Sequence, residues 1–268
     1  MDRLQTAITA LHEADAESGR RKSRSRLTPV ARLIVCIGFL GVTVSFDKYN
    51  IAGLLSMSLY LIVTGIWEEI SLWKGFSRLK YIFAVLLLLG IANIFYDRNV
   101  IMFLGGIPIT GGMLSFVTLF LKGAFAVYGA YFLLLTVGID RLCMALRKLK
   151  VPRMMVTVLL LTYRYLIVLL KEAQRMMQAY ELRSFRHRGI HIRAWGAFPG
   201  LLLLRSMDRA LQIYDSMLLR GYDGEFLYEM TERKAGWTIS VLYMAGWLAL
   251  FALLRSVPVF ALVGKLFL

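Results

Sequence analysis

Cysteine, histidine and acidic residues are all scarce in this chain: two Cys, three His, and 17 Asp plus Glu against 32 Lys plus Arg in 268 residues. Cys36 and Cys143 lie far apart and form no CxxC pattern, so neither a disulfide framework nor a thiolate metal cluster is expected. His187 and His191 are four apart, but Gly189 lies between them, arginines surround them, and no carboxylate or cysteine joins them. Metal ions want converging neutral or anionic ligands, and a solvated loop accounts for the pair better. No GxxxxGK[ST] phosphate loop occurs; GGIPITGG, residues 105–112, has the glycines without the Lys-Ser/Thr and reads as a turn. The first thirty residues contain no apolar run of the kind a cleavable signal peptide needs. The formal net charge is +15, yet no basic soluble segment interleaved with aromatics is present to carry nucleic acid.

What the chain has in abundance is apolar residues, 58% of the total. An ordinary soluble domain holds about 45–50%, and several runs here approach the roughly 20 residues that cross a bilayer core. The expected fold is all-α: a polytopic membrane bundle of about five transmembrane helices, with amphipathic helices at the membrane edge. Residues 1–29 form a polar, basic N-terminal segment ending in the tract Arg20–Arg26. Spans are expected at about 30–46, 50–67, 80–96 and 112–138, within a first membrane region 30–138. A last span at about 236–254 belongs to a C-terminal region 235–268. Basic residues concentrate in the N-terminal tract, at 68–80 and at 140–153, whereas Asp47-Lys48 and Asp97-Arg98 are balanced. By the positive-inside rule the N-terminus is cytoplasmic, in the cell membrane of a multi-pass protein, and the C-terminal tail is outside.

The region 139–234 differs in character and reads as a platform on the cytoplasmic side. Pro152 opens a helix at a favourable first-turn position. It is apolar to Leu170 and then carries Lys171, Glu172, Arg175, Gln178 and Glu181 on one face. A second helix, about 197–220, has a polar stripe at Arg205, Asp208, Arg209, Gln212 and Asp215, most simply local ion pairs. Both helices read as too polar to span and apolar enough to lie at the bilayer edge. Arg164 stands inside TYRYLIVLL as the one strong intramembrane charge, a functional suspect by default or a snorkelling interfacial side chain. Each helix ends in a Leu-Arg-small triplet: Leu182-Arg183-Ser184 and Leu219-Arg220-Gly221. A cation at a helix C-terminus favours the dipole and a small residue permits termination, so the triplets could be plain helix ends. Alternatively each helix presents one projecting arginine to an acidic groove on a partner, a reading their similarity favours.

LRKLKVPRMM with Pro152, the following TYRYLIVLLKEAQRMMQAYELRS with Arg164, Glu172, Ala179 and Arg183, and SMLLRGYDG with Arg220 and Gly221 together carry a resemblance. The chain resembles the transmembrane T component of energy-coupling factor (ECF) importers, the CbiQ/EcfT family, and is most similar to its cobalt-type members over nearly its full length. In that family, Ala-Arg-Ser or Ala-Arg-Gly motifs end the coupling helices and dock into two ATPase subunits; here Leu182 and Leu219 stand in place of alanine. The resemblance implies a non-catalytic membrane subunit that binds no cofactor of its own, ATP being bound by the partners. Those partners are two ABC-type ATPases and a substrate-binding S component, with the lipid membrane around them and no nucleic acid. Cobalt is the implied substrate, with nickel, biotin or another vitamin as alternatives. A self-contained secondary transporter would need inverted repeats and ionisable mid-membrane residues, and a membrane enzyme would need clustered catalytic groups; neither pattern is visible.

Overall fold

A computed structural model describes residues 27–47, 51–70, 72–96, 100–104, 107–183, 196–224 and 235–256. In chain order its elements are α1 (Pro29–Ser45), α2 (Ile51–Ser56), α3 (Ser58–Trp67), α4 (Leu72–Tyr96), β1 (Val100–Leu104), β2 (Ile107–Thr110), α5 (Gly111–Val137), α6 (Ile139–Lys148), α7 (Arg153–Arg183), α8 (Ala197–Leu219) and α9 (Ala235–Ser256). They separate into two compact units: α1–α5 with α9, and α6–α8. The fold is a helical membrane bundle.

In the first unit α5 packs on α1, α2, α3 and α4, and α1 packs on both α5 and α9. Pro29 occupies its first turn, where the missing N–H costs nothing. Among its buried positions Arg32, Val35, Phe39 and Thr43 recur every three or four residues and so share one face. Phe39 is fully buried, with the Tyr60 ring 4.6 Å away and the Phe251 ring 5.9 Å away. Tyr60 meets Trp247 edge-on at 5.0 Å, the geometry the ring quadrupoles favour. Close approach of α1 and α5 depends on Gly129, whose missing Cβ would lie 3.1 Å from the Phe39 ring. Small residues at such crossings let membrane helices pack without a hydrophobic driving force.

Among the described residues, three helices are long and apolar enough to cross a bilayer: α5, α7 and most of α9. The apolar runs of α1, α2–α3 and α4 are shorter. Four expectations change. The run expected as one span at 50–67 is broken at Met57, which is fully buried between α2 and α3. The polar stretch before the third span is largely helical, because α4 starts at Leu72 and runs 25 residues without interruption. Of the turn expected at 105–112, Ile107–Thr110 form β2, pairing antiparallel with β1 through Val100 with Thr110 and Leu104 with Ile107, and Gly111 and Gly112 open α5. Finally α7, expected at the membrane edge, has the length and apolar content of a span. Its apolar first half continues into the amphipathic half as one 31-residue helix, about 47 Å at 1.5 Å per residue.

The second unit has a smaller core. Cys143 from α6 packs with Val156 and Leu160 from α7, flanked by Ile139, Leu146 and Val151. The α8 helix buries none of its residues; Leu203, Leu204, Met207 and Leu211 are all exposed.

Candidate functional site

Two helix ends of the second unit carry the arginine triplets. At the end of α7, Leu182 and Arg183 are exposed, Leu182 at 77%; Ser184 lies outside the described residues. At the end of α8, Leu219 is 90% exposed and Arg220 is the C-cap residue. Both leucines stand in open space, which leaves both ends available for contact.

The α8 end is built by hydrogen bonds that can be traced one at a time. The Gly221 N–H donates to the Leu218 carbonyl at 2.9 Å, and the Tyr222 N–H donates to the Met217 carbonyl at 3.0 Å. With Gly221 at φ 78°, this is a Schellman motif: the residue after the cap turns left-handed and returns two amides to the last turn. Nothing lies within 4 Å of where a Gly221 Cβ would stand, so glycine is present for its backbone angle and not for want of room. The cap ends the helix at Arg220 and holds that residue at φ −92°, ψ 9°.

The two helices are tied upstream of these ends. Glu172 of α7 accepts a hydrogen bond from the Arg205 guanidinium of α8, and Arg175 lies 3.7 Å from the other carboxylate oxygen. From this tie α7 continues about 16 Å to Arg183, and α8 continues about 22 Å to Arg220. No ion pair or hydrogen bond engages either guanidinium among the described residues, and none joins one triplet to the other.

Arg164 is 57% exposed and lies 3.8 Å from Asp140 of α6, itself 51% exposed. At a water-facing position an ion pair this open is worth about 0–1 kcal/mol. The Cys143 thiol is buried, and burial pushes its pKa up; Asp140 adds to the rise and Arg164 opposes it. Asp208 and Asp215 take part in no ion pair among the described residues. His187 and His191 lie outside the described residues. Among the described residues no group of three His, Cys, Asp or Glu side chains gathers to hold a metal.

Sequence reasoning passed over two charges inside the first unit, and Arg164 is therefore not the sole intramembrane candidate. Arg32, only 8% exposed, donates to Glu68 and, at 3.2 Å, to the Thr136 carbonyl. Lys122 of α5 donates to the carbonyl of Phe46 and, at 3.1 Å, to that of Val44, beyond and within the last turn of α1. The signal was the same one that singled out Arg164: a lone cation within an apolar run.

These features define a helical membrane protein in which two helix ends carry exposed arginines. Residues 20–232 match the CbiQ family, described as cobalt transport protein, and the chain belongs to that family. It is 30% identical over 117 residues to an uncharacterised protein of Methanocaldococcus jannaschii, covering 42% of this chain and 40% of that one. It is also 30% identical over 117 residues to the nickel permease LarQ of Lactiplantibacillus plantarum, covering 44% and 42%. The cobalt transport protein CbiQ of Salmonella typhimurium is 27% identical over 180 residues, 62% of this chain and 80% of that protein. The match thus spans about two-fifths of the length of the first two relatives and four-fifths of the third.

Proposed function

We propose that this membrane transport component is the coupling (T) subunit of an ATP-driven ECF-type importer. In this reading it joins two ABC-type ATPases to a substrate-binding S component and carries no catalytic group or cofactor of its own. One observation carries it: two helices of a single unit each end in an exposed Leu-Arg pair with no partner for the arginine among the described residues. An arginine held out on a capped helix end suits a bidentate carboxylate in a partner's groove. In this reading α7 runs along the cytoplasmic membrane edge and does not cross the bilayer, so that the N-terminus, the basic segment before α7 and both helix ends share the side where ATPases would reach them. The open Arg164–Asp140 pair is assigned to the interface and not to a substrate path.

Cobalt is the proposed cargo, on the strength of the family and the CbiQ relative. A nickel reading has its own support in the similarity to LarQ. Purification of the tagged chain from its native membrane tests the assignment, since ATPase subunits should accompany it. Recovery of the chain alone, with metal uptake intact, would reject the coupling role. Uptake of labelled cobalt and nickel by the recovered complex decides between the two metals.

A further inference from the structure

The first unit holds a buried ionic junction that neither the helix ends nor the cargo explains. Arg32 stands in the first turns of α1, Glu68 at the C-cap of α3, and Thr136 in the last turn of α5. One guanidinium engages all three helices: it donates to the Glu68 carboxylate and to the Thr136 carbonyl, the latter at 3.2 Å. The Thr136 hydroxyl in turn donates to Phe132 within α5 at 2.8 Å, which anchors its side chain to its own helix. Beside the junction lies a cavity of about 30 Å³ lined by Arg32, Tyr60, Thr64, Glu68, Thr136 and Tyr243, enough space for a water molecule.

Two residues beyond Thr136 the chain passes from α5 to α6 through Gly138 alone, at φ 75° and ψ 156°. That combination is essentially restricted to glycine. It is also where the first unit ends and the second begins. A helix whose last turn is bonded to Arg32 of α1, itself bonded to Glu68 at the end of α3, cannot shift at that end by itself. Stability alone does not call for such a pair, because well-packed apolar side chains commonly replace buried ion pairs without loss. What an apolar replacement cannot do is hold a helix terminus by a directional bond.

We infer that Arg32 and Glu68 are positioning residues for transport: they lock the end of α5 to α1 and α3, so that displacement arriving through Gly138 moves the three helices together. The inference rests on the coupling role proposed above. It predicts uncoupling, in which ATP is hydrolysed without import, and not loss of assembly.

The test uses the full complex purified with its ATPases and reconstituted in liposomes. Arg32→Met with Glu68→Gln removes both charges, so that no unpaired charge stays buried. Gly138→Ala perturbs the joint from the other side. For both variants, membrane level and ATPase recovery should match wild type and ATP hydrolysis should stay within about twofold, while metal uptake per ATP falls at least tenfold. Uptake per ATP within twofold of wild type in the double variant would overturn the inference. So would loss of ATPase recovery in that variant, since it would assign the pair to folding. Wild-type membranes that yield no ATPases at all would overturn the coupling reading itself, an outcome distinct from both.

Discussion

Replacing Gly221 by alanine separates a helix end that presents Arg220 from one that merely stops. Gly221 adopts φ 78° with open space around its α-carbon, so an added methyl group meets no neighbour and acts only through the backbone. A left-handed conformation costs a non-glycine residue about 1–2 kcal/mol. Alanine is also favoured over glycine within a helix by about 1 kcal/mol, which pulls the chain toward another helical turn. Both effects oppose the bonds from Gly221 to Leu218 and from Tyr222 to Met217. If the cap sets the direction of Arg220, a cost of about 1–2 kcal/mol should appear as roughly 5–30-fold weaker ATPase capture.

The assay is titration of purified ATPase subunits onto the chain in nanodiscs, alongside hydrogen exchange at Tyr222. Gly221→Ala should weaken capture and speed exchange of the Tyr222 amide. Gly221→Asn should do less of both, because asparagine tolerates the left-handed region. Equal capture by wild type and the alanine variant would refute the reasoning, as would an asparagine variant no better than alanine. Faster Tyr222 exchange with unchanged capture would show that the cap exists but does not serve docking.

Arg183→Ala and Arg220→Ala should each weaken ATPase association by about 2–5 kcal/mol, the cost of leaving a partner's charge buried and unpaired. The double variant should abolish uptake, with lysine restoring only part; pull-down with undiminished ATPase recovery contradicts this. Lys150 holds φ 64° at the end of α6, so Lys150→Gly should stabilise the fold by about 1 kcal/mol, and a thermal midpoint that fails to rise counts against it. Arg164→Leu loses an exposed pair worth about 0–1 kcal/mol, so insertion and uptake should stay within twofold of wild type. A tenfold fall in uptake would restore Arg164 as a functional residue. Cysteines placed at Ser23 and Asn99 should label from opposite faces of the membrane, and labelling from one face would end the topology argued from loop charge.

Helix ends marked by glycine or proline could be read from the sequence, and those marked by other residues could not. Pro29 and Gly221 stand at a helix start and a helix stop, as residues of fixed or free φ should. By contrast α3 ends through Glu69 at φ 53°, with the Ile70 N–H returning to the Gly65 carbonyl at 2.8 Å. The α6 end uses Lys150 in the same way, with the Val151 N–H donating to the Leu146 carbonyl. Neither residue type announces a left-handed turn; the surrounding packing holds each one there. Periodicity placed the polar face of α7 through Glu172, but nothing local indicated that Arg205 would be its partner. The helix of α7 was legible from Pro152 onward, but its span-like apolar length was missed because the polar face of its second half was weighed against it. Arg32 was missed for a related reason: one cation barely lowers the hydropathy of a run, and only the fold shows Glu68 and Thr136 beside it.

The cations of this strongly basic chain fall into structural classes that its net charge conceals. Carbonyls at the end of α1 would be costly if left unpaired within a bilayer, where each unsatisfied backbone group costs several kcal/mol. Lys122 of α5 reaches those of Val44 and Phe46, and Arg255 of α9 reaches that of Ser45 at 3.2 Å while lying 5.1 Å from the Phe46 ring. At the other end of the same helix, Arg32 is buried against a carboxylate and a carbonyl. The 17-residue α1, about 26 Å long, is thus secured by cations at both ends. Arg220 differs from all of these, because the carbonyls of Met217 and Leu218 in the last turn of α8 are met by its own Schellman amides. A cation that its own fold does not require for capping or pairing is available to a partner. That distinction, more than the count of arginines, supports the docking role proposed for Arg220.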